Sequence, residues 1–308
     1  MYVDELSVPE LQSDDAYHLS VVLRLRPGEV VVASDGAGSY RACRVAPPGS
    51  TTRSTAPATG GSITGAGESA GAAGEPARVT GRRRTRSTAI SLVPDTDVLA
   101  VRRAAPAITV GFSLAKADRT DWAVAKLAEL GVDRIVPLLC ARTVAGAGGA
   151  GGTAAGAKRT ERLRRIARAA SMQARRLWLP EVDEPLPFDD ALLALAVAGA
   201  STPAGPAGSA AGDGSSTPTG TAGTPAGGQQ NLRRAACGIA LAEPGGATLS
   251  LATPVLLVGP EGGWSPAELA VGLPTVDLGA TILRVETAAI VAGTLLTGLR
   301  SGLVSPSA

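Results

Sequence analysis

Two short segments in the last third of the chain combine glycines with ionisable side chains in a pattern that suits ligand binding. The first, VLLVGPEGGWSPAEL (255–269), places four apolar residues before the turn Gly259-Pro260-Glu261-Gly262-Gly263. The apolar run predicts a strand buried on both faces, and Ser265, followed by Pro266 and Glu268, predicts a capped helix start. This arrangement brings bare backbone to the carboxyl edge of a sheet, where open α/β sheets bind ligands.

The second segment, LGATILRVETAAI (278–290), places Arg284 and Glu286 directly before an apolar helix. A guanidinium group there can stabilise negative charge, and a carboxylate can accept a proton. The structural alternative is that the acid merely favours the positive end of the helix dipole. Because Gly259 and Gly279 each end a predicted strand, the two segments converge on one pocket if those strands are neighbours.

A basic helix predicted over Lys158–Trp178 indicates contact with a polyanion. It carries eight lysines and arginines against the single acid Glu161. Charge runs are often only solvated helix faces, but so few acids are unusual for solubility alone, and arginine suits pairing with phosphate. We therefore expect nucleic-acid contact, to which Arg24, Arg26 and the segment GRRRTR (81–86) add positive charge.

Composition excludes several other classes of site. With one histidine, His18, among 308 residues, a Ser-His-Asp hydrolase or a multi-histidine metal site is improbable. The three cysteines lack C-x-x-C spacing, which argues against structural zinc. A G-x-G-x-x-G match at 146–151 lies within an Ala/Gly tract, where chance explains it. Because no signal peptide or membrane helix is predicted, we expect a soluble, cytoplasmic protein without metal or membrane partners.

Strand and turn patterns divide the chain into two predicted domains. Residues 1–100, including HLSVVLRLRPGEVVVASDG (18–36), alternate as a small β-domain, whereas residues 101–308 alternate strands with helices, as an α/β domain with a mostly parallel sheet does. Three tracts of Ala, Gly, Ser, Thr and Pro, at about 46–80, 145–157 and 200–230, are expected to be flexible insertions.

One helix is specified in more detail. The segment TDWAVAKLAELGV (120–132) predicts a helix capped by Thr120 or Asp121 and ended by Gly131. Its inward positions are expected to include Trp122, Ala125 and Leu130.

Several of these motifs together resemble one known family. LLVGPEGGWSPAEL and LGATILRVETA, with KADRTDWAVAKLAELGVDRIVPL upstream and SMQARRLWLPEV between, are similar to the bacterial 16S ribosomal RNA (uracil-N3)-methyltransferases, which are SPOUT methyltransferases. The resemblance implies an α/β domain with a deep trefoil knot behind an N-terminal PUA-like β-barrel. It also implies S-adenosylmethionine as cofactor, 16S rRNA in the small ribosomal subunit as partner, and a homodimer.

The resemblance also assigns roles to particular residues. Arg284 and Glu286 are the expected catalytic pair, with Glu261 as a further candidate for the base, and 3-methyluridine near the decoding region is the expected product. The expected cofactor contacts are Leu257, Val258, Gly259, Pro260, Glu261, Gly262, Gly263, Leu278, Gly279, Ile282, Leu283, Thr287 and Ala288. The expected RNA contacts are Arg24, Arg26, Lys116, Arg119, Arg142, Gln173 and Arg176.

Two alternatives remain open from the sequence. One is another SPOUT methyltransferase that acts on tRNA or on a ribose hydroxyl. The other is a non-catalytic RNA-binding protein that has kept the fold. The position of the methyl group in the product separates the first from a uracil-N3 enzyme, and cofactor binding without methylation of any RNA would indicate the second.

Overall fold

The computed structural model describes residues 1–47, 90–143, 154–200 and 238–305. The chain forms two compact units, one of Met1–Asp35 with Ser39–Ala100 and the other of Gly36–Gly38 with Val101–Ala308. Most of the three predicted insertions lies outside the described residues. However, residues 154–157, which their composition assigns to the second insertion, form the first turn of a helix.

The smaller unit contains a four-stranded antiparallel sheet. It consists of α1 (Ser13–Tyr17), a π-helical turn (His18–Val22), β1 (Val30–Ser34), β2 (Ser39–Val45), β3 (Leu92–Pro94) and β4 (Leu99–Ala100). Strands pair in the order β1-β2-β3, and β4 also pairs with β2. The segment that begins at His18 is therefore helical where alternation predicted a strand. Val21 and Leu23 are exposed, so this short apolar pattern does not mark a buried strand face.

The larger unit has a seven-stranded sheet in which every pairing between described strands is parallel. Its strands are β5 (Thr109–Ser113), β6 (Arg134–Leu139), β7 (Glu181–Val182), β8 (Leu186–Pro187), β9 (Ile239–Thr248), β10 (Val255–Val258) and β11 (Thr275–Asp277). The order is β11-β9-β10-β5-β6-β7, with β8 also paired to β6. The predicted α/β fold with a mostly parallel sheet is confirmed.

The described helices that accompany this sheet are α2 (Ala117–Leu130), α3 (Ala154–Gln173), α4 (Phe188–Ala200), α5 (Pro266–Ala270) and α6 (Val285–Ser301). Two apolar clusters cover its faces. One combines α2, α3 and α6 with Leu256 and Val258 of β10, and the other combines α4 with Leu257 of the same strand. Burial on both faces explains why β10 is continuously apolar, as the sequence predicted.

Helix α2 differs from its prediction at one end and on one face. Gly131 ends it in the left-handed conformation (φ +92°), as predicted, but Lys116 and not Thr120 or Asp121 stands at the N-cap. The buried stripe consists of Ala123, Val124, Leu127 and Ala128. Trp122 lies outside that stripe and is 50% exposed, so its predicted inward position is wrong.

Candidate functional site

The glycine-rich turn after β10 is held by local hydrogen bonds. The amide of Gly263 donates to the carbonyl of Pro260 at 2.8 Å, and Gly263 has φ +69°, which favours glycine. Beyond the turn, the Ser265 hydroxyl accepts from the amide of Glu268, and the Glu268 carboxylate accepts from the amide of Ser265. This capping box, as predicted, starts α5 and fixes the point at which the turn ends.

Trp264 packs against the first glycine of the turn. Its indole Nε1 donates to the carbonyl of Ala242 in β9 at 3.0 Å, and its ring lies 5.3 Å from that of Phe188. A Cβ on Gly259 would lie 2.9 Å from the indole. Gly259 therefore allows a close approach that a larger residue would prevent.

Residues that follow β6 also hold the turn through hydrogen bonds. Arg142 donates from Nη1 to the carbonyls of Gly262 at 2.8 Å and Trp264 at 3.2 Å. The neighbouring amide of Ala141 donates to the buried carboxylate of Glu268 at 2.9 Å. In this structure Arg142, an expected RNA contact, supports the glycine-rich turn.

The second predicted segment begins at the end of β11. The Asp277 carboxylate accepts from the amides of Gly279 at 2.9 Å and Gly245 at 3.1 Å. These amides lower the pKa of the Asp277 carboxyl, because they stabilise its charged form. The chain then runs to Arg284, which is the N-cap of α6.

The two segments form the walls of one cavity of about 440 Å³. Strand β9 lies between β10 and β11, so those two strands are not direct neighbours, and the middle of β9 supplies a third wall. The residues lining the cavity are Ala242, Glu243, Pro244, Val258, Gly259, Pro260, Glu261, Gly262, Gly263, Trp264, Asp277, Leu278, Gly279, Thr281, Ile282, Leu283, Arg284 and Ala288. The sequence-based prediction that the two segments converge on one pocket is therefore consistent with the geometry.

Two expected cofactor contacts lie elsewhere, and one wall was missed. Leu257 is fully buried, and its side chain packs over Gly111 in β5. Thr287 lines a different cavity. The missed wall is Ala242, Glu243 and Pro244. Its signal in the sequence is Glu243, the acid that ends the largely apolar segment CGIALAE (237–243), but the position of that segment beside β10 could not be deduced.

Arg119 links the two acids that the sequence offered as proton acceptors. Its Nη1 lies 3.6 Å from Oε1 of Glu261, and its Nε lies 3.6 Å from Oε1 of Glu286. Glu261 is exposed, whereas the Glu286 side chain is only 8% exposed. The other oxygen of Glu286, Oε2, is buried and has no hydrogen-bond partner within the described parts of the chain. Glu286 thus holds a buried acceptor that is not satisfied within the described residues.

A second cavity of about 450 Å³ lies where these groups meet. It is lined by Asp118, Arg119, Trp122, Arg284, Glu286 and Thr287. Arg284 lines both cavities, so the two adjoin at its side chain. The predicted pair of Arg284 and Glu286 therefore lies together beside the first cavity.

The remaining expected RNA contacts occupy varied positions. Arg24 and Arg26 are exposed in the smaller unit, and Lys116 and Gln173 are exposed in the larger one. Arg176 is half-buried, and its guanidinium packs on Gly131 at the carboxyl end of α2.

Some of the arginines of α3 make contacts that attach this helix to the rest of the larger unit. Arg162 pairs with Asp121 of α2, and Arg164 donates to the carbonyl of Val182 at 3.1 Å. Lys158 and Arg165 are exposed. The helix therefore divides its charge between internal pairing and an open surface.

Among the described residues, other reactive groups do not form a second site. Burial raises the pKa of the Cys140 thiol to about 12, with a further contribution from the nearby Glu268 carboxylate, so this thiol is a poor nucleophile. Within residues 1–47, 90–143, 154–200 and 238–305, no group of His, Cys, Asp and Glu side chains has the arrangement of a metal site. No helix in those ranges combines the length and apolar character needed to span a bilayer.

Comparison with known proteins identifies the family. The RNA methyltransferase domain profile matches residues 103–202 and 239–297, which is just over half of the chain and includes all the residues that line the two cavities. The chain belongs to this RNA methyltransferase family. The match ends at Thr297, within α6, so it contains Arg284 and Glu286.

Similar proteins extend the likeness of this RNA methyltransferase to nearly its full length. It is 29% identical to ribosomal RNA small subunit methyltransferase E of Mycobacterium bovis and to that of Mycobacterium tuberculosis, over 94% of this chain and 88% of each relative. The structure of the Neisseria gonorrhoeae ribosomal RNA small subunit methyltransferase E bound to S-adenosyl methionine has the same fold. Its TM-score is 0.59 at 22% identity, with 97% of this chain and 96% of that chain covered.

Proposed function

We propose that this RNA methyltransferase uses S-adenosylmethionine to form 3-methyluridine at a uridine of 16S rRNA near the decoding region of the small ribosomal subunit. The observation that carries the proposal is the pair of adjoining cavities: one is walled by glycine-rich backbone, and the other is lined by Glu286, whose buried carboxylate oxygen has no partner among the described residues. Full-length similarity to relatives named as small-subunit rRNA methyltransferases supports the choice of RNA.

The cavity of about 440 Å³ fits the cofactor in size and in chemistry. Small-molecule sites measure about 300–1,000 Å³. The glycines at 259, 262 and 263 leave amides and carbonyls accessible for hydrogen bonds to a nucleoside. Glu243, Glu261 and Asp277 outnumber Arg284 in its lining, so an acidic wall faces the positively charged sulfonium. When bound, S-adenosylmethionine supplies an electrophilic methyl group.

Glu286 is the group that we assign to accept the proton from uracil N3. That proton must leave because N3 is protonated at neutral pH and attacks as a nucleophile only when its lone pair is freed. Oε2 of Glu286 is buried and has no partner among the described residues, while Oε1 faces Arg119. Glu261 also faces Arg119 but is exposed to solvent, which makes it the weaker candidate.

Arg284 is assigned to stabilise the negative charge that develops on the uracil carbonyls as the proton leaves. It is exposed and lines both cavities, and its side chain has no ion-pair or hydrogen-bond partner among the described residues, so its guanidinium is available to a ligand. Its position at the N-cap of α6 adds the positive end of that helix. Fixed positive groups of this kind stabilise charge that forms only in the transition state.

The remaining parts of the proposal rest on the family resemblance. They are the trefoil knot in the larger unit, a PUA-like barrel in the smaller one, a homodimer as the active species, and a cytoplasmic location. RNA contact is assigned to Arg24, Arg26, Lys116, Arg119, Arg142, Gln173 and Arg176. For Arg119 and Arg142, contacts within the protein indicate an additional supporting role.

Transfer of labelled methyl groups to small subunits that lack the modification tests the catalytic assignments. We expect Glu286→Gln to lower kcat by about 10²–10⁴, the usual contribution of a general base, while the same change at Glu261 lowers it far less. Glu129→Gln is a matched control, since this half-buried acid pairs with Lys126 on α2 and lines neither cavity. Equal losses in the Glu286 and Glu129 variants would contradict the role of Glu286.

A further inference from the structure

The second cavity contains an exposed aromatic side chain that the catalytic assignments leave unexplained. Trp122 is 50% exposed and lines the cavity together with Arg119, which stands one turn earlier on α2. Exposure of an indole is costly in water, and the apolar stripe of α2 does not need it, because Ala123, Val124, Leu127 and Ala128 already form the buried face. Aromatic rings exposed in this way commonly stack unpaired nucleobases.

The polar groups of the same cavity match one edge of one base. Uracil presents a carbonyl, an N–H and a second carbonyl along its imide edge, which is the pattern acceptor, donor, acceptor. The cavity offers Glu286 as an acceptor, with Arg119 3.6 Å from it as a donor and Arg284 as a second donor. Cytosine presents an acceptor at N3, which would face the carboxylate without a hydrogen bond.

The buried oxygen of Glu286 supports the same conclusion independently. Buried polar atoms are nearly always hydrogen-bonded, and one without a partner requires an explanation. Oε2 of Glu286 is such an atom among the described residues, and its side chain lines this cavity. An N–H from a bound base would supply the missing donor.

We infer that the cavity of Asp118, Arg119, Trp122, Arg284, Glu286 and Thr287 receives the target uracil, with Trp122 as its stacking surface and Arg119 as the residue that positions Glu286. Its volume of about 450 Å³ accommodates a nucleotide. Because Arg284 lines both cavities, a base held here lies beside the cofactor cavity. The inference rests on the proposed function and adds the location of the base and the means by which uracil is selected.

Nuclear magnetic resonance of the indole N–H groups tests the location without requiring catalysis. The chain has three tryptophans, so ¹⁵N-labelled protein saturated with S-adenosylhomocysteine gives three indole signals, and Trp122→Phe identifies one of them. We expect uridine 5′-monophosphate to shift the Trp122 signal saturably, and cytidine 5′-monophosphate to bind roughly tenfold or more weakly. A shift at Trp264 alone, or equal responses to the two nucleotides, would overturn the inference.

Steady-state kinetics with unmodified small subunits test the stacking role. We expect Trp122→Ala to raise KM for the subunits by about ten- to a hundredfold and to leave the Kd for S-adenosylmethionine unchanged. Trp122→Phe should recover most of the loss, since it keeps an aromatic face. Leu193→Ala, which removes an exposed apolar side chain from α4, is the control and should behave as wild type.

Three outcomes would overturn the stacking role. The first is that Trp122→Ala has the same KM for the subunits as the Leu193→Ala control. The second is that it raises the Kd for S-adenosylmethionine as much as it raises that KM. The third is that it converts a dimer into a monomer in sedimentation, which would make Trp122 an interface residue. Methylation of the subunits by the wild-type protein tests the proposed function separately. If wild type methylates another nucleoside, the proposed function fails, whereas the indole titration still decides whether this cavity selects uracil.

Discussion

Gly259→Ala is the change whose effect follows most directly from the geometry of the turn. A Cβ on Gly259 would lie 2.9 Å from Cε2 and 3.0 Å from Cδ2 of Trp264. Carbon atoms in favourable contact lie about 3.5–4.0 Å apart, so the added methyl overlaps the indole by roughly 0.5 Å or more. The indole cannot easily retreat, because it is buried, bonded to the Ala242 carbonyl and packed on Phe188.

Overpacking of this kind costs about 1–3 kcal/mol of the free energy of unfolding. Relief of the overlap also requires the turn or the part of β9 at Ala242 to move, and both are walls of the proposed cofactor cavity. We therefore expect Gly259→Ala to lower stability in urea denaturation and to weaken S-adenosylmethionine binding in titration calorimetry.

Two neighbouring glycines provide matched controls. A Cβ on Gly262 would make ordinary contacts of 3.4 and 3.5 Å with Arg142, so Gly262→Ala should change stability by less than about 0.5 kcal/mol. Gly263→Ala meets open space but forces alanine to φ +69°, which costs about 1–2 kcal/mol. If Gly259→Ala unfolds at the same urea concentration as Gly262→Ala, the close approach to Trp264 is not a constraint and the reasoning is refuted.

Three further predictions concern charged and ionisable groups. Asp133→Ala leaves the buried guanidinium of Arg300 without its carboxylate, so the free energy of unfolding should fall by about 3–5 kcal/mol in urea, and a change near zero would contradict this. The Cys140 thiol, with its pKa raised to about 12, should resist alkylation in native protein at about pH 8, as measured by the mass of the modified protein, and rapid alkylation of native Cys140 would contradict this. Because the unfolded thiol ionises first, its stabilising contribution is complete below pH 9.0 and is lost as pH rises through about 12. The midpoint of the Asp277 carboxyl titration, measured by NMR, should lie below the ordinary pKa of 3.8. Its contribution to the free energy of unfolding is therefore present above pH 3.8 and is lost as pH falls through the lowered pKa. A midpoint above 3.8 would contradict the two amide contacts.

The sequence predicted best where the rules are local. The capping box of Ser265 and Glu268 and the left-handed Gly131 each depend on a few adjacent residues, so their types alone indicate the geometry. The buried strand 255–258 was also predicted, because a continuous apolar run followed by glycine and proline has few other interpretations.

Prediction was weaker where burial depends on distant partners. Trp122 was expected inside because indole is large and apolar, yet the face of α2 that packs is set by the smaller residues Ala123, Val124, Leu127 and Ala128. Likewise, the apolar residues that follow His18 suggested a strand, but the structure places a π-helical turn at His18–Val22. An apolar pattern this short is compatible with both the helical and the strand periodicity.

The cavity walls needed the order of the strands. The sequence predicted Gly259 and Gly279 as cavity residues, but Glu243 could be identified as a wall residue only from the position of β9 between β10 and β11. Similarly, nothing in the sequence showed that Arg119 joins Glu261 to Glu286, because the three lie on different elements. Long-range topology, and not local propensity, creates these parts of the site.

Identification of the methylated nucleoside tests the central claim most directly. Unmodified small ribosomal subunits are incubated with the protein and S-adenosylmethionine, and the rRNA is digested and analysed by nucleoside mass spectrometry. We predict 3-methyluridine in amounts that depend on active enzyme and that fall sharply with Glu286→Gln. A methyl group on a ribose hydroxyl or on another base, or no transfer although the cofactor binds, would contradict the proposed function.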